Sequence, residues 1–140
     1  MNNNLKLEVV SAHDSIFSGQ VLFVVVPGED GELGIYPKHT PLITRIKPGT
    51  LKYKDIEGNE KFLVVAGGVL EVQPDLVTVL ADTVIRAEGI DKERSLEAKR
   101  NAENLIQKGS IGDIDLAKAH AELAFAIAEL SAIEKYRGKK

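Results

Sequence analysis

At about Asp91 the hydrophobic period of this chain changes from that of strands to that of helices, and this change restricts the available folds more than any other feature. From Leu5 to about Val84, short β-branched segments recur about every ten residues between turn signals, the rhythm of a β-sandwich or barrel. They read "LKLEVV", "QVLFVVVPG", "PLITRIKPG", "TLKYKD", "KFLVVAGG", "VLEVQPD" and "LVTVLAD". In "TLKYK", Leu51 and Tyr53 alternate with Lys52 and Lys54, so one face is dry and the other wet. "FLVVAGGVLEV" is apolar on both faces, as a strand between two packed layers would be. Between two of these segments "DIEGNEK" predicts a hairpin connection, with Gly58 and Asn59 at positive φ.

Beyond Asp91, alanine, leucine and charge replace the β-branched residues. Asp91 is placed to cap a helix running to about Lys108, with Leu96, Ala102, Leu105 and Ile106 along one side. "KGSIGD" breaks it, and Asp113 or Asp115 is placed to cap a second helix reaching about Arg137. There Leu116, Ala119, Leu123, Ala126, Leu130 and Ile133 are spaced as a coiled-coil seam. The expected fold is therefore α+β: a β-sandwich or flattened barrel over residues 1–86, then an antiparallel two-helix hairpin over residues 87–140. Its 140 residues suffice for one sizeable core and a small appendage. The second helix has seven alanines between Ala117 and Ala132, which favour helix but bury little area, so the hairpin is expected to be loosely held and able to repack.

Several chemistries are excluded by what the chain lacks. It has no cysteine, which removes disulfides, thiol nucleophiles and thiolate metal sites and fits a reducing compartment. Its net charge of -3 gives no field that would hold nucleic acid. The apolar run Val21 to Val26 falls far short of the roughly 20 residues of a membrane span, and "MNNNLKLEVV" is not a signal-peptide pattern. Ser11, His13, Asp14 and Ser15 are adjacent in "SAHDS", whereas a catalytic triad is assembled in space, so a polar turn is the expected reading. His13, His39 and His120 are scattered without metal-ligand spacing. Glu29, Asp30 and Glu32 read as a solvated acidic loop without alternating calcium ligands. The glycines of "GEDGELG" precede neither Lys-Ser/Thr nor a long helix, so they make no phosphate cradle, and Gly67-Gly68 reads as a close backbone approach. No metal or catalytic residue is expected, and the profile is that of a binding or regulatory subunit.

Three stretches carry a family resemblance: "GELGIYPKHTPL" at 31–42, "GGVLEVQPDLVTVLAD" at 67–82 and "EAKRNAE" at 97–103. In this order and spacing, with "VVSAHDSIFSG" near the start and "AELAFAIAELS" near the end, the whole chain resembles the epsilon subunit of bacterial F-type ATP synthase. The resemblance implies a noncatalytic rotor subunit at the cytoplasmic face of the bacterial inner membrane, attached only through the complex. Its sandwich would pack on the gamma subunit and rest on the ring of c subunits, coupling proton flow to ATP synthesis. A loop of Gly31, Glu32, Leu33 and Gly34, with Glu32 at its tip and Lys38 and His39 beside it, would face the ring; the family more often has glycine at position 38. "KFLVVAGGVLEVQP" would be one long strand serving the core and the gamma-facing side. The hairpin would switch between a state folded against the sandwich and one extended into the alpha/beta hexamer, where it blocks ATP hydrolysis. Lys118, Lys135, Arg137, Lys139 and Lys140 would supply the inhibitory contacts. An alternative is an ATP-sensing module whose hairpin folds on nucleotide, ATP being a regulatory ligand rather than a cofactor. Some relatives bind it through Ile/Leu-Asp-x-x-Arg-Ala, which Ile90, Asp91 and Arg94 match while Ser95 replaces the alanine. On the second helix only Lys118 and His120 would stand in for the arginines those relatives use.

Overall fold

The computed structural model describes residues 4–109 and 112–138. Among them nine strands come first: β1 (Leu5–Val10), β2 (Ser15–Gly28), β3 (Gly31–Ile35), β4 (Leu42–Ile46), β5 (Gly49–Asp55), β6 (Glu60–Val65), β7 (Gly68–Val72), β8 (Leu76–Ala81) and β9 (Val84–Arg86). A 3-10 turn at Ala87–Gly89 leads into α1 (Lys92–Lys108) and α2 (Asp113–Gly138). Strand order is β1-β8-β7-β4-β2-β5-β6-β9, and β1 also pairs with β2, so five of these strands close into a ring. β2 serves both halves of the sheet. It is 14 residues long, and its ladder to β5 slips register between Val21 and Phe23, a bulge that bends the strand. The result is the expected flattened barrel followed by two helices.

Period-2 alternation fills the barrel. Leu5, Leu7 and Val9 of β1, Val77 and Val79 of β8, and Leu51 and Tyr53 of β5 all point into one apolar cluster. At the seam Arg86 of β9 donates from Nη2 to the Ile16 carbonyl at 2.6 Å. The β5–β6 turn is closed by Asp55, whose Oδ1 accepts from the Glu57 and Asn59 backbone N–H groups at 3.0 and 2.9 Å. Those bonds, Asn59's first, hold the Asp55 carboxyl below the ordinary aspartate range. Gly58 alone takes positive φ there, at 88°, so the expectation for Asn59 is corrected: the Asp55 side chain does the work assigned to a second left-handed residue.

"KFLVVAGGVLEVQP" is two strands rather than one. β6 pairs with β5 and β9, whereas β7 pairs with β4 and β8, and the chain changes partners through Gly67 and Gly68. The two also differ in burial. On β7, Val69 and Glu71 are outward and exposed while Leu70 and Val72 are inward, so this part has one dry face only. On β6, Phe62, Leu63, Val64 and Val65 are all buried, because Leu63 and Val65 enter the barrel and Phe62 and Val64 meet the hairpin.

α1 begins as expected. Asp91 accepts from the Glu93 and Arg94 N–H groups at 3.0 and 3.3 Å, and Gly109 closes the helix at φ 64°. α2 begins one residue earlier than either aspartate could cap. Its first turn contains Asp113 and Asp115, and the Gly112 carbonyl accepts the Leu116 N–H at 2.9 Å. The two acids therefore act on the positive end of the helix dipole instead of as caps. α2 lies on β6 and β5 through a second stripe, with Ala128 and Ala132 buried and Phe125 and Tyr136 packed beside them against Phe62 and Val64. This cluster is separate from the barrel core.

Candidate functional site

The stretch expected to be a ring-facing loop is a strand. Gly31 to Gly34 belong to β3, with Gly34 opposite Val25, Leu33 opposite Val26, Glu32 opposite Pro27 and Gly31 opposite Gly28. The tip is the two-residue turn Glu29–Asp30, not Glu32. The close approach of the strands here requires glycine, because a Cβ on Gly28 would stand 2.8 Å from the Gly31 carbonyl oxygen. Among the described residues no group of acids and histidines is arranged to hold a metal ion. Lys38 and His39 form another unit. The Lys38 N–H donates to the Pro74 carbonyl at 2.8 Å, tying residues 36–41 to the β7–β8 turn, and His39 Nδ1 lies 2.7 Å from the Thr40 carbonyl.

Two of the expected contact residues meet unexpectedly. Glu32 of β3 and Lys135 of α2 line one groove of about 460 Å³ with Lys52, Glu60 and Phe62, so the folded hairpin lies beside the β3 edge. Lys52 and Glu60 are paired at 3.4 Å within it. Lys118 is exposed and lines a different cavity with Leu105, Asp115 and Glu122. Arg137 lies in the last turn of α2, with its side chain outside the described residues, as are Lys139 and Lys140.

Ile90, Asp91 and Arg94 do come together, at the junction of barrel and hairpin. They line a cavity of about 310 Å³ with Ser95, Phe125 and Glu129. The helix facing them thus presents an aromatic ring and a carboxyl, while Lys118 sits near the opposite end of α1, beside Leu105. The Asp91 carboxylate is already engaged by the α1 amides. Glu129 and Ser95 are the site residues that sequence reasoning missed. Their signal was the replacement of alanine by Ser95 together with a glutamate on an otherwise alanine-rich helix face. The "SAHDS" segment is a turn: Asp14 N–H donates to Ser11 Oγ at 3.3 Å, and Ser11 N–H donates to the Asp14 carbonyl at 2.9 Å.

Residues 4–87 match the β-sandwich domain of the ATP synthase delta/epsilon chain, and residues 88–134 match its long α-helix domain. The chain belongs to the ATP synthase delta/epsilon family. It is 54% identical to the ATP synthase epsilon chain of Verminephrobacter eiseniae and 53% identical to that of Polaromonas naphthalenivorans, each over 138 residues and 99% of both chains. A chain of the Euglena gracilis mitochondrial ATP synthase OSCP/F1/c-ring assembly has the same fold, with TM-score 0.84 and 19% identity over 95% of this chain and 83% of that one. A second, from the Tetrahymena thermophila mitochondrial ATP synthase central stalk and c-ring, gives TM-score 0.58 and 13% identity over 92% and 96%. Epsilon chains are noncatalytic subunits, in keeping with a site built from packing surfaces.

Within the epsilon family frame, Lys38 has a backbone explanation. It is the non-glycine residue with positive φ among those described, at 67°, and its side chain is exposed. A left-handed non-glycine residue costs about 1–2 kcal/mol, part of which glycine returns as chain entropy. Lys38→Gly is therefore expected to stabilise the sandwich by about 0.5–1 kcal/mol, read as a higher urea midpoint. A lower midpoint would show that the lysine side chain, not the backbone, governs this position.

Proposed function

We propose that this chain is a noncatalytic rotor subunit of an F-type ATP synthase, working at the cytoplasmic face of the membrane in the central stalk. Residues 1–86 are the docking domain and residues 87–140 the regulatory hairpin. The sandwich seats on the gamma subunit and on the c-subunit ring, transmitting proton-driven rotation towards ATP synthesis. The β2–β3 hairpin, with Glu29 and Asp30 at its tip and Glu32 behind it, is the ring-facing foot. The outer face of β4, β7 and β8 is the gamma-facing side: Val69 pairs with Arg45 on one flank and Leu80 on the other, and Ile43, Val69 and Leu80 are exposed apolar residues remote from the hairpin's contacts on β5 and β6.

The observation that carries the regulatory half is how α2 is held. Its contact with the sandwich is a small cluster of its own, with alanines at Ala128 and Ala132 against Phe62 and Val64, so α2 can leave without opening the barrel core. The departing helix extends towards the alpha/beta hexamer, with Lys118, Lys135 and Arg137 as inhibitory contacts, and blocks ATP hydrolysis. Adding the chain to a catalytic complex lacking its own epsilon subunit is expected to lower hydrolysis several-fold. A version ending at residue 87 is expected to bind gamma equally well and inhibit no longer. Failure of the full chain to bind gamma would refute the assignment. A second reading, nucleotide folding the hairpin, draws on the convergence of Ile90, Asp91 and Arg94 on one cavity; Glu129 in that cavity opposes a triphosphate, and calorimetry at millimolar ATP decides it.

A further inference from the structure

α2 carries apolar or small side chains on three of its sides, and the folded hairpin covers two of them. Ala119, Ala126 and Ile133 of the seam spacing are buried, and Ala128 and Ala132 are buried on the sandwich. The third side runs through Ala124, Ile127, Ser131 and Lys135, at spacings of three and four that set them in one line over three turns. Ile127 in that line is 48% exposed. A helix that is apolar on every side is ordinarily buried on every side, so this third side has the makings of an interface.

A trough runs beside it. A cavity of about 450 Å³ lies between this line and Pro27, Lys47, Pro48 and Thr50 of the sandwich, and it abuts the groove of about 460 Å³ described above, because Glu32, Thr50 and Lys135 line both. From Ala124 to Lys135 the trough follows α2 for about 16 Å. Its floor is kept low by Gly49, where a Cβ would stand 2.9 Å from the Pro27 Cβ. On the α2 wall Ala124 and Ser131 are small enough to let a second helix come close. Lys47 lines the first cavity alone and Lys135 the junction of the two, and neither makes an ion pair among the described residues. Glu32 is the one acid lining the first cavity, and Lys52 in the second is already held by Glu60. The charge along the trough is therefore positive.

We propose that this trough is the docking site for an amphipathic helix of a partner protein, which lays an apolar stripe on Ile127 and turns carboxylates towards Lys47 and Lys135. A helix suits the site better than an extended segment, because the exposed wall repeats every three to four residues. The trough also lies over the face of β5, whose backbone pairs with β2 and β6, so an added strand would find no ladder to join. Its walls come from α2 and the sandwich together, so the site exists only while the hairpin is folded. A helix bound there holds the hairpin down by its own binding free energy. As regulation of the subunit this rests on the hairpin switching proposed above, whereas the docking is a property of the free chain.

The probe is a synthetic helical peptide of about 15 residues, with leucine along one stripe and glutamate at both ends, titrated onto the full-length chain by fluorescence anisotropy. Saturable binding is expected, together with raised hydrogen-exchange protection in α1 and α2. Ile127→Ser, at an exposed position, is expected to weaken binding about tenfold while leaving hairpin protection without peptide unchanged. Lys47→Glu should weaken it as well, and one of two peptides bearing lysine at a single end should restore it. No saturable binding to the parent, or binding that Ile127→Ser leaves unchanged, overturns the proposal. Loss of binding in Ile43→Ser alone would place the peptide on the outer face of β4, β7 and β8 and overturns it too. Self-association of the parent in sedimentation, abolished by Ile127→Ser, would assign the trough to a second copy of this chain instead. Inhibition that never appears in the assembled complex would refute the switching, and leaves the binding result standing.

Discussion

Alanine at Gly68 is expected to cost the sandwich about 4 kcal/mol, a large fraction of the stability of a domain this size. Two penalties coincide at this position. Gly68 has φ 142°, a conformation that side-chain-bearing residues rarely adopt, and a Cβ there would stand 2.1 Å from the Leu80 carbonyl oxygen and 2.8 Å from the Ala81 Cα. Both obstacles are backbone, in a strand paired with β7 along its length, so no rotamer change relieves them. Relief requires breaking the Gly68–Ala81 pairing, which is where the chain crosses from one half of the barrel to the other. Gly67 serves as the graded control: its φ of 119° carries strain, but its nearest contacts are 3.5 Å away. Gly34, with nothing within 4 Å, tolerates alanine to within about 0.5 kcal/mol. Urea midpoints should fall in the order Gly34→Ala, Gly67→Ala, Gly68→Ala. A Gly68→Ala midpoint close to the parent's would mean that the corner is not needed for closure.

The same corner shows what a period can and cannot convey. Alternation and helical spacing are local, so the segments LKLEVV and LVTVLA, the Asp91 cap and the division into barrel and hairpin were legible from residues alone. Pairing is not local. FLVVAGGVLEV looks like one doubly buried strand because Phe62 and Val64 are apolar for the hairpin's sake and Val69 is apolar on an exposed face, two causes that produce the same letters. β3 was hidden for a different reason. Its inward Leu33 and Ile35 alternate with outward Glu32 and Gly34, but with glycine at two of five positions and pairing on one side only, to β2, the segment carries too few apolar letters to announce a strand. On α2 the seam spacing revealed one stripe, and the alanines of the second stripe passed for propensity alone. That Ser95 and Glu129 line one cavity could not be read in sequence, because 34 positions separate two residues that only the antiparallel hairpin brings together.

Phe62→Ala is expected to deepen inhibition of ATP hydrolysis although Phe62 lies on β6 and belongs to no inhibitory contact. In the folded state its ring is the largest side chain that the sandwich presents to the hairpin, 5% exposed and clustered with Ala128, Ala132, Phe125 and Tyr136. When the hairpin departs, that ring returns to water, so its hydrophobic burial opposes departure. Truncating a buried phenylalanine costs about 3 kcal/mol, and here the loss falls on the docking equilibrium rather than on the barrel, a shift of roughly a hundredfold in the population with the helix released. Leu63→Ala, one residue along the same strand and pointing into the barrel core, is the matched control: it should lower the urea midpoint strongly without selectively releasing the hairpin. Hydrogen exchange resolves the two, because Phe62→Ala should lower protection in α1 and α2 while leaving the β1 and β8 amides unchanged. In the reconstituted complex Phe62→Ala should therefore hydrolyse ATP more slowly than the parent, and the version ending at residue 87 should be indifferent to the substitution. Released helices with unchanged hydrolysis would separate undocking from inhibition, and the hairpin's resting place on β6 would then be storage rather than restraint.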